Sequence, residues 1–174
     1  MANGLFSGLG IPKRRIFVSY HHAGDRAYYD EFSRFFSATY DVIQDNSVDR
    51  DIESTNTDYV IRNIRENYIT GTSCTIVFCG AQTPWRKFVD WEIKATLDKN
   101  HGLIGVNLPT NPIQQGKYTI PDRLHDNIIS DYALWLQWSE LNAGPHFLVS
   151  KIEEANAKSS VLINNTRALR SRNG

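Results

Sequence analysis

A chain of 174 residues is long enough to bury a core as one domain without staples. Its 19 basic and 19 acidic side chains cancel, so no long-range field gathers nucleic acid or anionic lipid, and nucleic acid is not expected as a partner. No apolar run approaches the roughly 20 residues of a membrane-spanning helix, and residues 1–12, Gly-rich and without a basic start, do not resemble a secretory signal. They are expected to be a flexible tail on a cytoplasmic protein with no membrane partner.

In chain order, Arg14 to Tyr20 (RRIFVSY) is a β-branched and aromatic run that predicts a first strand. The polar turn His21-His22-Ala23-Gly24-Asp25 follows, with Asp25 placed to cap a helix. From Arg26 to Thr39, Tyr28, Tyr29, Phe32, Phe35 and Phe36 recur at helical spacing and are expected to face a core. Tyr40 to Ile43 is a second strand. Gln44 to Thr57 is polar, charge-mixed and too long for a tight turn, and so reads as a mobile loop.

Asn56 or Thr57 is expected to cap a helix to about Tyr68, with Tyr59, Val60, Ile64 and Tyr68 facing inward. Ser73 to Cys79 (SCTIVFC) is continuously apolar, as expected of a strand buried on both faces of a parallel sheet. Its two cysteines, Cys74 and Cys79, fall on opposite faces, cannot bridge each other and should be reduced. Thr83-Pro84 predicts the start of a helix running from Pro84 to Lys99.

His101 to Leu108 is a fourth strand, and Pro109 to Asp131, rich in Pro, Asn, Gln and Asp, reads as an irregular excursion. Tyr132 to Trp138 is a fifth strand, and Pro145 to about Lys158 a closing helix. Residues 159–174 are polar apart from a short VLI run and are expected to fray. Strands alternating with helices predict an α/β fold. It is a flavodoxin-like three-layer sandwich with a five-stranded, mainly parallel sheet and helices on both faces.

Against this pattern one side chain is out of place. At about 100° per residue, Glu92 shares an arc of its helix with Trp85, Phe88, Val89 and Thr96, a face on which apolar side chains are expected. A carboxylate there fits either a ligand cleft with aromatic walls or a helix-edge acid paired with a base such as Lys99.

Known chemistry motifs are missing. No G-x-G-x-x-G or G-x-x-x-x-G-K-[ST] supports a dinucleotide fingerprint or a P-loop, and no G-x-S-x-G supports a nucleophile elbow. His21 and His22 point apart, and His101, His125 and His146 lack ligand spacing, so no metal is expected. Asp25 with Asp45 would suit a Mg²⁺-binding receiver fold, but Cys79-Gly80 stands where that fold needs a third-strand aspartate.

The segments RRIFVSYHH, SCTIVFCG and WRKFVDWEI, with the polar loop after the second strand, resemble the Toll/interleukin-receptor (TIR) family over about Arg14 to Trp138. The His-His pair, with the AQT and WEI segments, narrows this to the bacterial TIR-like branch that includes the Thoeris anti-phage sensor subunit. The resemblance implies a TIR-like domain over residues 13–158. It also implies an NAD⁺-cleaving activity with NAD⁺ as substrate and no separate cofactor.

It further implies that Glu92 is the catalytic glutamate. Phe88 matches an aromatic, commonly Trp, one turn before it, and Ser19, Tyr20 and His21 match one wall of the site. Asp45, heading the loop that gates the pocket or mediates self-association, and Trp85 join them as substrate-binding positions. The product would be an ADP-ribose-type nucleotide signal in anti-phage defence, acting on a separate effector. The alternative is a non-catalytic TIR-like module that works by nucleotide binding or self-association.

Independent chemistry agrees with the resemblance. Breaking the nicotinamide–ribose bond releases a neutral pyridine and leaves oxocarbenium-like charge on the ribose, which one carboxylate can stabilise. Phe88, Trp85 or Tyr20 would offer a face for the nicotinamide ring.

Overall fold

The computed structural model describes residues 13–44 and 56–174; the expectations for residues 1–12, and for the loop from Asp45 onward, lie outside them. Strand β1 (Arg14–Ser19) leads into helix α1 (His22–Phe36), strand β2 (Tyr40–Ile43) and helix α2 (Thr57–Ile64). Then come strand β3 (Thr72–Cys79), helix α3 (Lys87–Asp98) and strand β4 (Gly102–Asn107). A two-stranded ribbon, β5 (Ile113–Gln114) and β6 (Lys117–Tyr118), precedes helix α4 (Asp122–Ile129), strand β7 (Leu134–Gln137) and helix α5 (Pro145–Asn156).

The main sheet has the order β2-β1-β3-β4-β7, and every pairing in it is parallel. The expected flavodoxin-like sandwich is therefore present, with β3 at its centre. Side chains alternating along the strands divide the core. Ile16, Val18 and Tyr20 join Ile76, Phe78, Ile104 and Val106 against Tyr29, Phe32 and Phe36 of α1 and Leu148 and Ile152 of α5. On the other face, Val77, Cys79 and Leu103 pack on Val89, Ile93 and Leu97 of α3 and Leu124 of α4. There Phe17 packs with Val60, Ile61 and Ile64 of α2 and Trp91 of α3. Cys74 and Cys79 are free, buried and in opposite layers.

Local chemistry accounts for most boundaries, and it moves several that the sequence suggested. Asp25 does not cap α1; the helix begins at His22, and Asp25 is buried in its first turn. Phe35 and Tyr59 face outward, at 53% and 54% exposure, so the aromatic stripes are narrower than expected. Asn56 caps α2, its side chain accepting from Tyr59 N at 3.2 Å, and the helix ends in a wide π-type turn over Arg65–Ile69.

Thr83-Pro84 does not open α3. Thr83–Trp85 is a separate 3₁₀ turn, and Arg86 is extended at φ −92°, ψ 118°, so α3 starts at Lys87. The reason is the Thr83 hydroxyl, which accepts from Gly80 N (2.9 Å) and donates to Phe78 O (3.1 Å). It ties the turn back to β3 instead of capping a helix.

The excursion at 109–131 is ordered. Gln115 (φ 51°) and Gly116 (φ 74°) form the two-residue turn of the β5–β6 ribbon, both in the left-handed region that such hairpins require. Helix α4 follows, burying Arg123, Leu124 and Asn127.

The tail at 159–174 is likewise not frayed. It crosses α4 and α3 as a strap. Asn127 and Asn164 exchange hydrogen bonds (2.7 and 2.9 Å), the Trp91 indole donates to Arg170 O (2.9 Å), and Lys87 N donates to Asn173 Oδ1 (2.9 Å). Among the described residues no helix is long and apolar enough to cross a membrane.

Candidate functional site at the carboxyl edge of the sheet

The strand order reverses at β1, which has β2 on one side and β3 on the other. In open α/β sheets the crevice beyond the carboxyl ends of the strands at such a reversal is where ligands bind. Ser19 is the last residue of β1 and lies in register with Val77 of β3. Helix α3 starts at this same edge and returns across the sheet, so its second turn carries Glu92 to the β1 terminus.

Glu92 is 3% exposed and accepts a hydrogen bond from the Ser19 hydroxyl. Its backbone carbonyl accepts from Thr96 Oγ1 at 2.8 Å, and Thr96 in turn bonds the Thr75 hydroxyl at 2.7 Å. The helix turn carrying the carboxylate is thus pinned to both β1 and β3. Burying a carboxylate is costly, and a carboxylate in low-dielectric surroundings acts strongly on any charge that develops beside it.

The other expected site residues divide. Phe88, one turn before Glu92, is half-buried, edge-on to Trp91 at 5.3 Å, with Lys87 Nζ 5.2 Å from its ring centre. Tyr20 is on the opposite face of the sheet, stacked between His22 (4.3 Å) and Tyr29 (5.0 Å), with its hydroxyl donating to Gln44. It does not share a wall with Glu92, because adjacent positions at a strand end point to opposite faces.

His21 occupies the cap position of α1, its carbonyl accepting from Asp25 N at 2.8 Å, and its ring folds over Gly24. Trp85 ends the 3₁₀ turn and meets the strap instead of Glu92, 41% exposed, with the Arg170 guanidinium 5.7 Å from its ring centre. Asp45 lies outside the described residues. The structure therefore brings together Ser19 and Glu92, with Phe88 on the adjoining turn.

Two further buried polar groups carry no plain sequence signal. Asp25 is 3% exposed and faces the hydroxyls of Thr83 and Thr110, each at 3.4 Å. Burial raises its pKa above the ordinary 3.8, while those two hydroxyls pull it down. A Cβ at position 80 would collide with this carboxylate, which explains the glycine after β3.

On α3, Asp90 pairs with Arg123 Nε at 2.8 Å, and the Arg123 side chain is 0% exposed. Arg123 also donates to Asn165 Oδ1 (2.9 Å), Arg167 O (3.0 Å) and Ala168 O (3.2 Å), and Asp90 accepts from Arg170 N (2.8 Å). Among the described residues no cluster of three or more His, Cys, Asp or Glu side chains is placed to hold a metal.

Comparison with known proteins gives a family match over more than half of the chain. The family described as Thoeris protein ThsB, TIR-like domain, matches residues 17–113, a span that includes Ser19, Phe88 and Glu92. No curated protein matches. Among solved structures, the chain is similar to the TIR domains in the structure of the activated Roq1 resistosome directly recognizing the pathogen effector XopQ. Identity is 11% and the TM-score 0.38, covering 56% of this chain and 58% of that one, so the chain spans less than two thirds of that relative's length.

Proposed function

This chain belongs to the TIR-like domain family of Thoeris protein ThsB, and from that premise we propose that it cleaves NAD⁺ to make an ADP-ribose-type signal in cytoplasmic anti-phage defence. The observation that supports this reading above all others is the buried Glu92 carboxylate, held by Ser19 at the carboxyl edge where the strand order reverses.

In this reading the bond between nicotinamide N1 and ribose C1′ breaks, and its electron pair leaves with the nicotinamide as a neutral pyridine. Positive charge builds on the ribose, and the Glu92 carboxylate stabilises it, with apolar neighbours strengthening the attraction. The Ser19 hydroxyl is a positioning group that fixes the carboxylate rotamer. Phe88 borders the site with an aromatic edge.

Water adding its oxygen to C1′ and releasing a proton gives ADP-ribose. A nucleophile from the same molecule gives a cyclic isomer, which a dry pocket favours. The product would then reach a separate effector protein.

The test is incubation with NAD⁺ and chromatography for free nicotinamide, comparing wild type with Glu92→Gln. Release by wild type alone supports the reading. Equal release from both removes Glu92 from the mechanism.

A further inference from the structure

We propose that a second site, a cavity between the start of α3 and the 159–174 strap, binds a small phosphorylated anion. The cavity holds about 380 Å³, and its lining includes Arg86, Asp90, Asp122 and the run from Arg167 to Arg172. That volume is within the range of small-ligand pockets.

The charges around it do not balance. Of the two acids, Asp90 is already held by buried Arg123 and by Arg170 N, both at 2.8 Å. Asp122 lies 3.8 Å from Arg167, whose guanidinium is in turn bound to Asp126 at 2.8 and 2.9 Å. Arg86, Arg170 and Arg172 line the same space and are in none of the ion pairs among the described residues.

Arg86 adds an independent sign. Its Nε is buried without a hydrogen-bond acceptor, and Nη2 reaches only Gln82 Oε1, at 3.4 Å. A buried donor left unsatisfied is costly and marks a place where an acceptor belongs.

Arginines lining a concave space, with Arg170 resting over the Trp85 ring, suit an acceptor-rich, multiply charged oxyanion, because the planar guanidinium fork meets two phosphate oxygens at once. The small volume and the chain's zero formal net charge favour a small phosphorylated anion over a nucleic-acid strand. The site is separate from Glu92. Two residues of helix are about 200° of turn, so Asp90 faces the strap while Glu92 faces β1. Anion binding there therefore does not depend on NAD⁺ cleavage.

The test is titration calorimetry of the full chain with pyrophosphate and with adenosine monophosphate. The comparison set is wild type, the double variant Arg86→Gln/Arg172→Gln, and a charge-matched control, Arg26→Gln/Arg34→Gln, on α1. The expected result is saturable one-site binding, at least about tenfold weaker in the Arg86/Arg172 variant and unchanged in the α1 control.

Arg172 is exposed, so Arg172→Gln alone provides the reading if the double variant unfolds early. No saturation by about 1 mM of either probe, equal loss in the α1 control, or binding of an RNA oligonucleotide without either small probe would each overturn the proposal.

Discussion

Helix α3 buries two acids on opposite sides, and they have different surroundings. Asp90 faces α4 and the strap, where the fully buried Arg123 and the Arg170 amide hold it. Glu92 faces the end of β1, where the Ser19 hydroxyl donates to it. Both are nearly solvent-free, at 8% and 3% exposure, so burial alone does not distinguish a structural acid from a catalytic candidate. Position does. Asp90 anchors a crossing of chain segments, whereas Glu92 sits at the strand-order reversal where an open sheet offers a ligand crevice.

The largest effect should come from breaking the structural side. Arg123→Ala leaves the Asp90 charge buried and strips the strap carbonyls of Arg167 and Ala168 of their donor, with an expected loss of about 3–5 kcal/mol, read as a lower urea midpoint. A midpoint within experimental error of wild type would show that the strap contributes nothing to stability.

Next is the catalytic side. Glu92→Gln should lower nicotinamide release by at least about a hundredfold, with a thermal midpoint far closer to wild type than that of Arg123→Ala. If Glu92→Gln instead unfolds as readily as Arg123→Ala, the contrast between the two acids collapses.

Ser19→Ala removes one hydrogen bond to the Glu92 carboxylate and should slow cleavage by about tenfold. Rescue by Ser19→Thr would show that the hydroxyl itself acts by positioning the acid.

The smallest effect concerns Asp25, whose folded-state pKa lies above the ordinary 3.8 because burial outweighs its two hydroxyl partners. The folded chain binds this proton more tightly than the unfolded chain does. Its contribution to stability is therefore greatest below the unfolded pKa and declines as pH rises through the raised folded value. Asp25→Asn should remove that slope and leave the protein at least as stable at neutral pH, by under about 1 kcal/mol. A steeper loss of stability between pH 4 and 7 in the variant, measured by denaturation at each about half-unit step, would reverse the assigned sign.

Much of the fold was legible because parallel strands buried on both faces leave an unmistakable apolar run, as in Thr72–Cys79, and because Glu92 breaks a helical arc. What escaped has particular causes. The family resemblance groups Tyr20 with Ser19 in one wall, although the period of two along the strand sends them to opposite layers. A helix continuous from Pro84 would put Trp85 on the α3 arc, whereas the extended Arg86 interrupts it.

Helix α4 is short and polar, and much of what it buries is Arg123 and Asn127, which periodicity does not register. The strap carries little apolar signal at all. It is ordered by backbone carbonyls and amides bound to side chains on α3 and α4, and by Leu162, Ile163 and Leu169 packed on the core, contacts that exist only once the helices have packed.

A crystal structure of Glu92→Gln with NAD⁺ locates the reacting sugar outright. The nicotinamide-bearing ribose should lie within hydrogen-bond reach of position 92, beyond the ends of β1 and β3. NAD⁺ bound only in the arginine-lined cavity by the strap, with the β1 edge empty, would contradict that placement.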